Sequence, residues 1–106
     1  MPVFDIKESL AALHRLVTIA QSDTGQSRRV ANFLLAWWNA GSCGGFDLTD
    51  LWMVDRAIAD DILTVTRMIA IRHEYPPAYG YGPQQFERLV ADWRSRLFDR
   101  PEAGRA

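Results

Sequence analysis

A chain of 106 residues with 48% apolar and 11% aromatic side chains can bury a core, so it reads as one globular domain and not as a disordered segment. Twelve basic against thirteen acidic residues leave a net charge of −1, which excludes the broad electropositive field of a non-specific nucleic-acid binder. A single cysteine, Cys43, excludes an internal disulfide and a four-cysteine zinc site, and fits a reducing compartment.

The opening MPVFDIKESL lacks a basic stretch followed by an apolar core, and is read as no signal peptide. No apolar run reaches the ~18 residues of a membrane span, so the expected location is the cytoplasm. Asp5 and Glu8 form a D-x-x-E start that suits the first turn of a helix. Behind it Ile6, Leu10, Leu13, Val17 and Ala20 recur at steps of four and three, which predicts a helix to about Gln21. Asp23, three residues before Gln26, repeats the start signal and is expected to cap a second helix. Val30, Phe33, Leu34 and Trp37 follow at helical spacing, and Ala31, Leu35 and Trp38 widen the apolar arc to roughly 200°. So broad an arc asks for neighbours on more than one side. It places this helix at the centre of the fold, ending at Gly41.

Asp47 is poised to cap a short helix over 48–54, with Asp50 in its first turn. Ile58, Ile62, Val65 and Ile69 predict a long helix over about 55–73. Met68 and Ile71 lie off that stripe and, with Trp38, are candidates for homodimerisation. The segment EYPPAYGYGPQ, 74–84, is expected to be extended because of its tandem prolines and two glycines. Pro83 suits the first turn of a last helix, with Phe86, Leu89, Val90, Trp93 and Leu97 as its stripe. Arg88, Asp92 and Arg96 are spaced for ion pairs on its outer face, and the tail 99–106 reads as frayed. The expected fold is all-α: one domain over 1–106, a compact bundle of four main helices plus one short helix, with an ordered core over about 5–98.

Candidate chemistry is thin. Asp23-Thr24-Gly25 matches the aspartic-protease tripeptide, but that reaction needs two carboxylates on opposed β-loops, and here the tripeptide leads into a helix. A phosphate site at the same helix start would draw on Ser27, Arg28 and Arg29. It lacks the lysine and preceding strand of a phosphate loop, and a capping Asp23 would repel the anion. Cys43 in GSCGG is expected to be an inert loop cysteine, since a nucleophile needs an imidazolium or helix N-terminus beside it. His14 and His73 stand far from it along the chain. No pair of metal-ligating residues has a working spacing, so no metal, cofactor or catalytic set is expected, and the chain reads as a non-enzyme.

Interaction surfaces remain. Tyr75, Tyr79 and Tyr81 sit among prolines and glycines, where rigid aromatic rings give contact area at low entropic cost. The alternative is that these rings fold over Trp37 and Trp93 to seal the core. Asp47, Asp50, Asp55, Asp60 and Asp61 face only Arg56 in sequence, so Asp60 and Asp61 are candidates for a basic protein partner. Arg28 and Arg29 are candidates for partner contact as well. With Arg88, Arg94, Arg96, Arg100 and Arg105 they form the alternative, a nucleic-acid contact, although Asp92, Asp99 and Glu102 offset the C-terminal cluster.

The run DTGQSRRVANFLLAWWNAGSCGGFDLTDLWMVD, followed by YGYGPQQFERLVADW, resembles a family of small uncharacterised proteins over roughly residues 10 to 93. Members occur on integrative and conjugative elements and plasmids of proteobacteria. The resemblance implies a cytosolic accessory protein of a mobile element, and no residue role comes with it. Small proteins of such elements often block host defence by binding a protein target, as anti-CRISPR proteins do. The expected function by analogy is therefore non-enzymatic protein binding directed at a host defence system.

Overall fold

The computed structural model describes residues 5–94. Over that range the chain forms four α-helices: α1 (Ile6–Ala20), α2 (Gly25–Cys43), α3 (Arg56–Arg72) and α4 (Pro83–Trp93). Two 3-10 turns, Leu48–Met53 and Pro76–Tyr79, complete it, and no strand occurs among the described residues. The expected all-α architecture holds. Leu97, Arg96, Arg100, Arg105 and the tail 99–106 lie outside the described residues.

α1 starts as expected. The Asp5 carboxylate accepts from the N–H groups of Lys7 (3.0 Å) and Glu8 (3.3 Å). Its buried face is broader than the predicted stripe: Ser9, Ala12 and Leu16 are buried beside Leu13, Val17 and Ala20, while Leu10 is exposed. The reason is that α1 packs against two neighbours, α2 and α3, and small residues let both backbones approach. Ser9 is satisfied there, its hydroxyl donating to the Asp5 carbonyl at 2.9 Å.

α2 does not start at Asp23. Thr24 is the cap, its hydroxyl accepting from the Ser27 N–H at 2.9 Å and pairing with the Ser27 hydroxyl at 2.8 Å. Ser27 is buried, so the pair joins the helix start to the core. Gln26, freed from capping, reaches across to the start of α3: its Oε1 accepts from the Asp55 N–H at 2.6 Å. α2 also runs past Gly41 to Cys43. Its winding breaks at Asn39 (φ −165°, ψ 76°), whose side chain accepts from the Ser42 N–H at 3.2 Å and restarts one last turn. α4 packs on α2 and α3 on α1, so α1 and α2 share the central place expected of α2 alone.

α3 buries Ile62, Val65 and Met68 against α1. Met68 is fully buried and so is not available to a dimer surface, while Trp38 is half-buried on Phe86 at 5.7 Å between ring centroids and Ile71 is exposed. His73 closes α3 in the left-handed conformation (φ 45°, ψ 44°), with its N–H on the Ile69 carbonyl. The proline segment is not simply extended: Pro76–Tyr79 winds one 3-10 turn, closed by Gly80 at φ 93°. Arg88 and Asp92 form no ion pair among the described residues.

Two long-range tethers fix α4. The Trp93 indole N–H donates to the Ala20 carbonyl at the end of α1 (3.0 Å). The Arg94 Nε donates to the Cys43 carbonyl at the end of α2 (3.0 Å), and its Nη2 donates to the Asn32 side chain. A cation on an orphan carbonyl is the favourable finish for a helix C-terminus.

Candidate functional site

α2 and α3 make their main contacts with α1 rather than with each other. The segment between them, through Phe46, Leu48 and Leu51, lines a hollow together with residues of both helices. Phe46 packs edge-on against Phe33 of α2, with centroids 5.4 Å apart at 74°, which pins the start of that segment. Asp47 caps the 3-10 turn by accepting from the Thr49 N–H (2.9 Å) and hydroxyl (2.8 Å), and these bonds hold its carboxyl below the usual range. Leu48 and Leu51, three residues apart, then share one side of a turn with three residues per revolution.

The result is an open apolar groove of about 340 Å³. Phe33, Trp37, Leu48, Leu51 and Leu63 are among its walls and Ile62 contributes from the core. Its polar lining residue, Thr66, has its hydroxyl engaged with the Ile62 carbonyl (2.7 Å), and the Trp37 indole N–H donates to the Glu74 carbonyl (3.0 Å). Among the described residues no titratable side chain lines this groove, and what they offer is apolar burial. Of its walls, Leu48 is 72% exposed and Leu63 55%, and the same 3-10 turn leaves Trp52 81% and Met53 59% exposed. None of these four is among the surface candidates that the sequence suggests.

The residues that were singled out fare differently. Tyr75 is exposed. Tyr79 packs on Trp37 (centroids 6.0 Å) beneath the Arg72 guanidinium (5.8 Å), and Tyr81 is half-buried against the core, where burial pushes its phenol up. These two rings seal the core's edge, so they do not form an open tyrosine surface with Tyr75. The five aspartates of 47–61 are each engaged within the chain. Asp61 forms a two-bond ion pair with Arg15 of α1 (both 2.9 Å), Asp60 pairs with Arg56 (3.5 Å) and Asp50 with Arg29 (3.8 Å). Asp55 holds Gln26, and Asp47 holds Thr49. Asp61 in particular is a tie between α1 and α3. Arg28 is exposed, while Arg29 is half-buried beside Asp50, so the two do not make one free basic patch.

Cys43 is not a loop cysteine. It ends α2 and is buried, and that burial pushes its thiol up while the nearby Arg94 charge opposes the shift. The environment is the reverse of an activated nucleophile. Among the described residues no group of three or more His, Cys, Asp or Glu is placed to hold a metal ion. No helix among them is long and apolar enough to cross a membrane.

A family model spans residues 10–94, from α1 to the end of α4, and so includes the whole groove. The chain belongs to DUF7673, a family of unknown function. No curated protein and no solved structure matches it. The family assignment brings no residue roles.

Proposed function

We propose that this DUF7673 protein is a non-enzymatic, cytoplasmic protein-binding protein, an accessory of a mobile genetic element directed at a host defence complex. The observation that carries the binding role is the apolar groove, with Leu48 and Leu63 exposed in its walls and Trp52 and Met53 exposed on the 3-10 turn that supplies Leu48. Apolar side chains gathered at one place on a surface mark a contact, and tryptophan is the side chain most often found at the energetic centre of one. The mobile-element assignment rests on the sequence resemblance, and genes for conjugation or integration beside this one would support it.

Binding is tested by titrating purified defence complexes of the host, CRISPR effectors among them, with the chain and with Trp52→Ala and Leu63→Ser. The expected result is saturable binding that weakens at least ~10-fold in the variants. Binding unchanged by both substitutions, or no binding to any such complex, overturns the proposal. The nucleic-acid alternative has less support, because Arg29 is paired with Asp50, and Arg94 is committed to Cys43 and Asn32. It would show itself as DNA or RNA affinity falling steeply with salt.

A further inference from the structure

We propose that residues 95–106 regulate the groove from within the chain: Leu97 and Phe98 occupy it, and a target must displace them to bind. This rests on reading the groove as a protein-binding surface and names what competes for it. The segment, SRLFDRPEAGRA, lies beyond the described residues, so what bears on it is where the described chain ends and what it can reach from there.

That end is fixed. α4 stops at Trp93, and Arg94 leaves helical geometry (φ −136°, ψ 43°). The Arg94 guanidinium holds it to α2 at two points, the Cys43 carbonyl (3.0 Å) and the Asn32 side chain. Both points adjoin walls of the groove. Asn32 directly precedes Phe33 and stands one turn before Ala36, about 40° from it around the helix at roughly 100° per residue. Cys43 precedes Phe46, a third wall, by three residues. Around α2, Asn32 thus lies between the side that meets α4, marked by Trp38 on Phe86, and the side that lines the groove.

Leu97 and Phe98 follow Arg94 by three and four residues, about 10–14 Å of extended chain. That exceeds one turn of α2, about 5.4 Å, by the width of a side chain. They are the only leucine, isoleucine, valine, methionine or aromatic residues of the segment. The groove, about 340 Å³ with apolar walls, is at the small end of binding pockets and suits a pair of such side chains. A short tether holds that pair near the groove at an effective concentration of about 1 mM, so a contact as weak as ~100 μM fills the groove most of the time. A second copy or a free partner at micromolar concentration has no such advantage.

Charge favours the same occupant. Arg96 and Arg100 bracket Leu97 and Phe98, with Asp99 between. Residues 44–55, which supply three walls of the groove through Phe46, Leu48 and Leu51, carry Asp47, Asp50 and Asp55 and no basic residue. Asp50 is paired with Arg29, but Asp47 is exposed. Both bonds it receives from Thr49 fall on Oδ1, and they keep the carboxylate ionised beside Leu48. An arginine next to the apolar pair meets a fixed negative charge next to the apolar walls.

NMR of the 106-residue chain with labelled methyl groups tests the inference. Nuclear Overhauser contacts are expected between the Phe98 ring and the methyls of Leu51 and Leu63, and they should remain intramolecular in a mixture of labelled and unlabelled chains. Phe98→Ser should shift those methyl signals by removing the ring, while the methyls of Leu13, which is buried in α1 and is not a groove wall, stay in place. The same variant should tighten target binding about tenfold, since a ~100 μM contact at ~1 mM leaves the groove open about one-tenth of the time. No contact from Phe98 to the groove, or methyl signals unmoved by Phe98→Ser, overturns the inference. Contacts only between differently labelled chains overturn it too, as does target binding unchanged by Phe98→Ser. If Phe98 makes no groove contact yet Leu63→Ser abolishes target binding, the inference fails and the proposed function stands. If the contacts are present and no defence complex binds, the proposed function fails and the occupancy of the groove stands.

Discussion

Arg94→Met tests whether α4 is held by the clamp at its end. Arg94 lies just beyond α4 and joins it to two separate places on α2, the Cys43 carbonyl and the Asn32 side chain; its third bond, to the Trp93 carbonyl, is local and easily replaced by water. Charge-assisted bonds are worth about 1.5–3 kcal/mol when shielded, and the half-buried setting here lowers each to about 1 kcal/mol. Methionine keeps an unbranched apolar stem in place of the arginine stem, so packing is largely conserved. The expected loss is therefore about 2 kcal/mol, which lowers Tm by roughly 8–16 °C in a domain of this size. Far-UV circular dichroism melting reads the shift, and urea unfolding should show a lower midpoint at constant slope. A double-mutant cycle with Asn32→Ala should return a coupling near ~1 kcal/mol. A Tm change under about 3 °C would falsify the clamp.

Thr24→Ala should cost about 1 kcal/mol, because it removes the cap of α2, whereas Asp23→Ala should stay within about 0.5 kcal/mol; equal losses would return the cap to Asp23. Tyr79→Phe should leave stability unchanged or raise it by up to about 1 kcal/mol, since the buried hydroxyl has no hydrogen-bond partner among the described residues; a clear loss would reveal one. Alkylation of Cys43 in the native protein should remain slow through about pH 8.5 and become fast in urea, and rapid reaction at neutral pH would reopen the case for a nucleophile. The sign for stability follows from the same burial. The raised folded pKa favours the neutral thiol, so its contribution is whole below the unfolded thiol pKa and is lost as pH rises through the folded value.

The helices were readable because their apolar residues repeat at helical spacing, and the errors fall where a non-local contact decides between equal local signals. Asp23 and Thr24 are both good caps. Thr24 prevails because Ser27 can bury its hydroxyl against it, and because Gln26 has a better partner 29 residues away at Asp55. Gly41 looked like a stop, but Asn39 restarts the winding two residues earlier, and its bond to Ser42 is the same cap pattern on a smaller scale. Met68 lies off the stripe read from spacing because that stripe is centred on Ile58 and Ile69. α3 turns its Ile62, Val65 and Met68 side toward α1, which leaves those two isoleucines half-buried at the edge of the contact.

The exposed turn was harder to read, for a reason of winding. In an α-helix Leu48, Leu51 and Trp52 stand at i, i+3 and i+4, and all three share a face that would be buried. With three residues per revolution, Leu48 and Leu51 still align, but Trp52 is carried about 120° away and into water. A small change in pitch thus decides whether the indole is core or surface, and neither composition nor spacing reports it. Leaving a large apolar side chain in water forgoes about 2–3 kcal/mol of burial. That is a sizeable fraction of the roughly 5–15 kcal/mol by which a domain holds together. Contact with a partner recovers that burial at Trp52. Tyr79 and Tyr81 have already obtained most of theirs within the fold, which is why the binding proposal rests on Leu48–Met53 and not on the tyrosine segment.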